Sequence, residues 1–201
     1  MRTRILLFTR LPRPGRAKTR LIPTLGAAGA AALQRHMTEQ LVARLRGHPG
    51  LRICYSDGDA TSMRRWLGPE LDYQPQAEGD LGRRLHLAFA DAFAEGATKA
   101  IAIGCDIPDL TMLQIEQAEA RLQHHDAVLG PATDGGYYLL GLRRPRPDLF
   151  CDMPWGGPQV AAITRQRCRA SGSSLALLEE LRDVDEPADL AWYAPQLLAD
   201  G

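Results

Sequence analysis

Short apolar runs alternate with segments of helical period along this chain, and this alternation constrains the fold more than any other feature. Residues 4–8, 51–55 and 99–104 are predicted to be strands, and the last of these is apolar enough to be covered on both faces. The segments between them repeat apolar side chains every three or four residues, as helices do. Repeated strand–helix units predict an α/β fold with three layers, α/β/α, around a mostly parallel central sheet, and residues 99–104 are expected at its centre.

Length and charge limit the class of protein further. A chain of 201 residues can build one well-buried core, and because no linker or repeat divides it, a single domain over residues 1–201 is expected. The chain has no run of 18 apolar residues, and its first apolar run is too short for a signal peptide, so a cytoplasmic protein without a membrane span is expected. The 24 basic and 24 acidic residues cancel, which argues against binding to nucleic acid or to a membrane surface.

A strongly basic loop follows the first strand. The first twenty residues contain seven cations and no carboxylate, and five of these cations lie between residues 10 and 20. Gly15 would let the backbone approach a phosphate, and Lys18 and Arg20 would point to one side if the loop were extended. Ligands of parallel sheets bind beyond the carboxyl ends of the strands, so this loop is a candidate site for a diphosphate. A solvated basic loop is the alternative, and neither a Walker A nor a GxGxxG motif is present.

Acidic residues in two later loops are candidate metal ligands. Asp106 follows the predicted central strand, where a carboxylate is costly unless it is capped or bound to a cation. Asp183 and Asp185 alternate near the end of the chain and would face one side of an extended segment. One or two carboxylates together with substrate phosphates are the usual ligands of Mg²⁺, so these three residues predict a Mg²⁺ (or Mn²⁺) site. The alternative is that they cap turns or helices.

The sequence DGGYY, residues 134–138, lies between two apolar runs. Asp-Gly is a strong signal for a hairpin turn. Two adjacent tyrosines are not needed for a turn, and they offer both stacking faces and hydroxyl groups. The motif therefore predicts either a hairpin alone or a binding site built on one.

Six motifs in a fixed order resemble one known family. They are PRPGRAKTRL at 12–21, GDLGRRL at 79–85, GCDIPDL at 104–110, DGGYYLLGL at 134–142, MPWG at 153–156 and DVDEPADL at 183–190. Together they resemble the bacterial glycosyltransferase-like proteins associated with radical-SAM and selenodomain proteins, which are often labelled arsenosugar-biosynthesis glycosyltransferases. This family has the nucleotide-diphospho-sugar transferase (GT-A) fold. The chain is more distantly similar to the molybdenum-cofactor nucleotidyltransferases and to 2-phospho-lactate guanylyltransferase.

The resemblance implies a role for each motif. It implies nucleotide binding by Arg10, Gly15, Lys18, Arg20, Gly79 and Asp80, with the last two near the base or ribose, and metal binding by Asp106, Asp183 and Asp185. Arg10 stands where many family members have lysine. Asp134 would accept the proton of the acceptor or orient its hydroxyl, and the acceptor would be bound by Gly135, Gly136, Tyr137 and Trp155. Trp155 is equally compatible with a place in the core.

The expected reaction is transfer of a sugar from a nucleoside diphosphate sugar to a small-molecule acceptor. In that reaction Mg²⁺, Lys18 and Arg20 would stabilise the negative charge that develops on the leaving diphosphate, and Asp134 would complete the catalytic set. Nucleotidyl transfer from a nucleoside triphosphate, with release of pyrophosphate, would use the same groups and is the first alternative. A non-catalytic module that binds a nucleotide is the second.

Overall fold

A computed structural model describes residues 2–199, with side chains described as far as residue 193. The strands are β1 (Thr3–Arg10), β2 (Leu51–Ser56), β3 (Asp72–Pro75), β4 (Lys99–Ile103), β5 (Ala127–Pro131), β6 (Tyr137–Leu142) and β7 (Leu175–Leu177). The α-helices are α1 (Ile22–Leu45), α2 (Ala60–Leu67), α3 (Leu81–Ala94), α4 (Met112–Arg121), α5 (Val160–Ala170) and α6 (Pro187–Ala199). None of the helices in this range has the length and apolar character that crossing a membrane requires.

The strands form one sheet in the order β3-β2-β1-β4-β6-β5-β7. All neighbouring strands are parallel except β6, which runs antiparallel to both β4 and β5. The predicted α/β fold with a mostly parallel sheet is confirmed, and β4 lies at its centre, as its largely apolar sequence indicated.

Helices cover both faces of the sheet because its strands alternate their side chains between two cores. Ile5 and Leu7 of β1 face a core that includes α1, α2 and α4, whereas Leu6 faces a core that includes α3 and α5. A third, smaller cluster joins Leu21 and residues of α1 to Val184. This cluster holds the basic loop against the segment that precedes α6, although the two are far apart in sequence.

The basic loop is not extended. Lys18 has a left-handed backbone (φ 47°, ψ 49°), and Thr19–Leu21 form a turn of 3-10 helix. The condition under which Lys18 and Arg20 would point to one side is therefore not met, and strand geometry does not align their side chains. Burial of Leu21 in the small cluster and contacts of Lys18 with distant carboxylates stabilise this tighter path.

Candidate functional site

A cleft of about 390 Å³ opens at the carboxyl ends of β1, β2 and β4. Its walls come from the ends of these strands, the first turn of α3, the loop after β4, the hairpin between β5 and β6, and the loop before α5. Because β6 is antiparallel, its first residues lie at the same edge of the sheet as the last residues of β5. The position of the cleft agrees with the expectation that ligands of α/β sheets bind at this edge.

The candidate residues from the sequence divide into two groups around this cleft. Those that line it are Arg10, Asp106, Asp134, Gly136, Tyr137, Trp155 and Asp183. Those that lie outside its lining are Gly15, Lys18, Arg20, Gly79, Asp80, Gly135 and Asp185. Their predicted functions stay predictions, but the positions limit how each residue can act.

Lys18 is buried between the carboxylates that were predicted to bind metal. Its side chain is 2% exposed, and its Nζ lies 2.9 Å from Oδ1 of Asp106 and 3.6 Å from Oδ1 of Asp185. It also donates a hydrogen bond to the carbonyl oxygen of Val184 at 2.6 Å. Burial acts to lower the pKa of Lys18, but the hydrogen bond and charge of Asp106 and the charge of Asp185 outweigh it, so the pKa is raised and the ammonium stays protonated. Lys18 is thus a counter-ion that links three segments of the chain.

Arg20 and Arg10 of the basic loop are also paired with carboxylates. Nη1 of Arg20 lies 2.9 Å from Oδ2 of Asp185 and 3.7 Å from Oε1 of Glu186. Arg10 donates a hydrogen bond to the carbonyl oxygen of Arg16 at 2.8 Å and pairs with Asp57 at 3.5 Å. Much of the positive charge of this loop is therefore neutralised by the protein itself.

Two carboxylates of the cleft have no cationic partner among the described residues. Oδ1 of Asp134 accepts a hydrogen bond from the backbone N–H of Gly136 at 2.7 Å, so this residue closes the hairpin turn while it lines the cleft. The pKa of Asp183 is raised to about 6, first by burial and then by the negative charge of Asp134. A bound cation would act against both effects, because it stabilises the ionised form of the Asp183 carboxylate.

These carboxylates, with Asp106, form an acidic wall of the cleft, defined here as Asp106, Asp134 and Asp183. The side chains of residues 2–193 include no group of three histidine, cysteine, aspartate or glutamate residues close enough to form a complete metal site. Mg²⁺ is commonly held by only one or two carboxylates together with water and substrate phosphates. The acidic wall fits that incomplete kind of site.

The loop before α5 supplies an aromatic wall. The rings of Tyr137 and Trp155 meet edge to face, with centroids 6.3 Å apart. Trp155 packs on Gly82 of α3, where an added Cβ would lie 2.7 Å from its Nε1 and 2.6 Å from the carbonyl oxygen of Phe150. Nε1 of Trp155 is buried and has no hydrogen-bond partner in the part of the chain that the structure describes. Trp155 therefore combines the two expectations for it, because it packs against a helix and also lines the cleft.

Gly79 and Asp80 shape the start of α3. Asp80 accepts a hydrogen bond from the backbone N–H of Arg83 at 2.8 Å and caps the helix, as aspartate commonly does. Gly79 has a φ of 114°, which glycine adopts at little cost. A role near the base or ribose of a nucleotide stays a prediction for both residues.

Known proteins are similar to this chain in sequence and in fold. A protein-family model described as an uncharacterized protein conserved in bacteria, DUF2064, matches residues 38–157. A Desulfovibrio desulfuricans G20 protein of known structure, provisionally described as a nucleotide-diphospho-sugar transferase, is 36% identical with a TM-score of 0.90 over 98% of this chain and 89% of that one. The chain belongs to the DUF2064 family. The resemblance to nucleotide-diphospho-sugar transferases that the motifs indicated is thereby confirmed.

More distant structures share the fold of this DUF2064 chain. CMP:2-keto-3-deoxy-manno-octonic acid synthetase, solved with CTP, matches with a TM-score of 0.62 and 12% identity over 100% of both chains. A Mycobacterium tuberculosis H37Rv protein, solved with manganese, matches with a TM-score of 0.59 and 16% identity over 96% of this chain and 97% of that one. No curated protein sequence matches the chain at a significant level.

Among the polar residues of the cleft that were not sequence candidates are Gln34, Gln76 and Arg84. The buried Gln34 of α1 donates hydrogen bonds to Thr38 and Cys105. Gln76 follows β3, and its amide nitrogen donates to the carbonyl oxygens of Thr9 and Cys54 at 3.0 and 2.8 Å. Arg84 lies in the first turn of α3. Of the three, only Arg84 lies in a quoted motif, GDLGRRL, where helical spacing from Leu81 was the available signal.

Proposed function

We propose that this DUF2064 protein is a metal-dependent transferase that moves a sugar from a nucleoside diphosphate sugar to a small acceptor, acting as a single domain over residues 1–201. The observation that carries the proposal is the acidic wall, which lies in a cleft at the carboxyl edge of a nucleotide-diphospho-sugar transferase fold. In the described part of the chain, Asp134 and Asp183 of this wall have no cationic partner. The relatives support a transferase that uses a nucleotide or a sugar nucleotide. The 36% identical relative favours the sugar nucleotide.

Asp106 and Asp183 are the residues that we propose to hold Mg²⁺ or Mn²⁺. Both line the cleft, and the uncompensated charge of Asp183 beside Asp134 favours a bound cation. Asp185 is held by Lys18 and Arg20, so it supports Lys18 rather than the metal ion. A bound ion of this kind would neutralise the negative charge that develops on the leaving diphosphate. The manganese bound by the Mycobacterium tuberculosis relative is compatible with this assignment.

The chain's own residues would orient the acceptor and take its proton. The bond between the anomeric carbon and the diphosphate oxygen breaks, a bond between that carbon and the acceptor oxygen forms, and the acceptor proton passes to a carboxylate. Asp134 is the proposed base, because its Oδ1 is fixed by the N–H of Gly136 while the carboxylate lines the cleft. Tyr137 and Trp155 form the wall against which the acceptor packs.

Lys18 acts in this proposal as a positioning residue. It fixes Asp106 through the 2.9 Å ion pair and is too buried to reach a ligand in the cleft directly. Gly15 and Arg20 lie outside the lining, so they would contact a nucleotide only at the rim of the cleft.

Nucleotidyl transfer is the second candidate function. It is favoured by the synthetase solved with CTP, which matches the full length of this chain. In that reaction an acceptor oxygen attacks the α-phosphate of a nucleoside triphosphate, and pyrophosphate leaves. The two reactions therefore differ in the product that is released.

One experiment separates these functions. The protein is incubated with Mn²⁺ and a mixture of small acceptors, with either sugar nucleotides or nucleoside triphosphates, and the release of nucleoside diphosphate or pyrophosphate is measured. We expect nucleoside diphosphate, and about a 10²-fold lower rate for Asp183→Asn, since it removes a group at the developing charge. The control is Asp109→Asn, because Asp109 is close to Asp106 in sequence but lies outside the cleft lining. Release of pyrophosphate would select the second function, and equal rates for both variants would remove Asp183 from the site.

A further inference from the structure

We propose that Arg84 is the anion-binding residue of the cleft and that its guanidinium binds a phosphate group of the substrate. The inference rests on the proposed function in one respect, namely that the substrate is a nucleotide. It begins from charge, because the three candidate cations of the basic loop are already paired with carboxylates. Lys18 pairs with Asp106, Arg20 with Asp185, and Arg10 with Asp57.

Arg84 differs from these cations in its partners. It lines the cleft, and it forms no ion pair with a carboxylate of the described residues. An arginine in a partly enclosed cleft retains its full charge, since guanidinium groups do not lose their proton in proteins. Arg84 is thus a cation of the cleft whose charge is left for a ligand.

The guanidinium is also oriented. Nε of Arg84 donates a hydrogen bond to the carbonyl oxygen of Gly79 at 2.9 Å, and neither terminal nitrogen contacts a partner within the described residues. Two parallel N–H groups on a planar fork match two oxygens of a phosphate, which a lysine ammonium cannot do. Arg84 lies three residues after Leu81 on α3, so the helix presents both side chains to the cleft.

The acidic wall indicates which anion is favoured. Asp106, Asp134 and Asp183 repel a ligand that carries only a carboxylate, whereas a diphosphate complexed with a divalent cation presents positive charge to the acidic wall and phosphate oxygens to Arg84. The cleft thus carries the two opposite charges that a metal-complexed diphosphate requires.

The test compares two adjacent arginines. Arg84→Gln removes the proposed fork, and Arg83→Gln removes the same charge from an exposed position outside the cleft lining. Binding of uridine, uridine diphosphate and inorganic pyrophosphate, each with Mn²⁺, is measured by calorimetry. We expect Arg84→Gln to weaken binding of uridine diphosphate and of pyrophosphate by about 10- to 100-fold. The same variant should bind uridine as tightly as the wild type does. Arg83→Gln should bind all three ligands like the wild type. Arg84→Lys keeps the charge without the fork, and we expect it to weaken pyrophosphate binding by about fivefold or more.

The outcomes distinguish this inference from the proposed function. Wild-type affinity of Arg84→Gln or Arg84→Lys for pyrophosphate, or equal losses in Arg83→Gln and Arg84→Gln, would overturn the role of Arg84 while leaving the transferase proposal intact. Binding of pyrophosphate that depends on Arg84, without binding of any nucleotide in a wider panel of bases, would retain the anion site and refute the nucleotide substrate. Absence of binding to every ligand would overturn both.

Discussion

Replacement of Lys18 by methionine is the most informative perturbation of the site. Lys18→Met keeps the length and apolar stem of the side chain but removes the ammonium that contacts Asp106, Asp185 and the carbonyl oxygen of Val184. Loss of one partner of a fully buried pair costs about 3–5 kcal/mol, because it leaves a buried charge without compensation. Here the remaining carboxylates are 45% and 34% exposed, so water replaces much of the lost interaction. We therefore expect a loss of about 2 kcal/mol, close to the value of about 1.5–3 kcal/mol for hydrogen bonds to charged groups.

The same substitution should raise the affinity for a divalent cation. Two unit charges about 4 Å apart interact by about 4 kcal/mol at an effective dielectric constant of 20, and exposure of Asp106 reduces this value. We expect Mn²⁺ to bind about tenfold more tightly to Lys18→Met in the absence of nucleotide, measured by electron paramagnetic resonance, while the midpoint of thermal unfolding falls by about 4–8 °C.

Lys99→Met is the matched control for this experiment. Lys99 is also buried and donates a hydrogen bond to the carbonyl oxygen of Glu119 at 2.7 Å, but it forms no ion pair with a carboxylate of the described residues. We expect the control to lose stability without any change in Mn²⁺ affinity. Unchanged Mn²⁺ affinity of Lys18→Met would show that Lys18 does not compensate the charge of the metal-binding carboxylates, and this would refute the reasoning.

Two further substitutions test the acidic and aromatic walls. The pKa of Asp183 is raised from 3.8 to about 6, so the folded protein binds the proton more tightly than the unfolded chain and its stability falls as pH rises through this window. Asp183→Asn should remove this fall in stability, which we expect to be about 1 kcal/mol after allowance for solvent screening. The measurement is the free energy of unfolding from urea titrations at pH 4 and pH 7. The same pH dependence in the variant and the wild type would contradict the raised pKa of Asp183. Gly82→Ala would place a Cβ 2.6 Å from the carbonyl oxygen of Phe150 and 2.7 Å from Nε1 of Trp155, so we expect a loss of about 1–3 kcal/mol and a shift in tryptophan emission. Wild-type stability and emission would show that the aromatic wall rearranges to accept the added Cβ without a loss of stability.

The architecture was predictable because it depends on patterns that short segments carry by themselves. A strand covered on both faces needs a continuous apolar sequence, and residues 100–103 have one, so the central place of β4 followed directly. The start of α5 was less accessible. The sequence has helical periodicity from Trp155 to Arg169, whereas α5 begins only at Val160, after Gly156 takes a φ of 78°. Periodicity alone does not report such a local interruption.

The site was predictable only as a set of loops. The sequence identified the loops that meet at the cleft, because parallel strands bring their carboxyl ends to one edge. It did not indicate that Lys18 is neutralised by Asp106 and Asp185, since ion pairs between distant segments depend on the packing of the small cluster around Val184. Nor did it separate Arg84 from Arg83, because neighbours on a helix differ only in the direction they face.

The reversed direction of β6 has a consequence for how this family can diversify. A parallel neighbour would need a crossover of a dozen or more residues to bring its first residue back to the cleft. Here a short turn after β5 delivers DGGYY to the mouth of the cleft without passing through either helical layer. A change of length in the exposed part of this turn, residues 133–134, would alter the surface that we propose to meet the acceptor, whereas Tyr138 lies in a core and is less free to change. We therefore expect acceptor preference to evolve in this short exposed part while the strands on either side keep their packing.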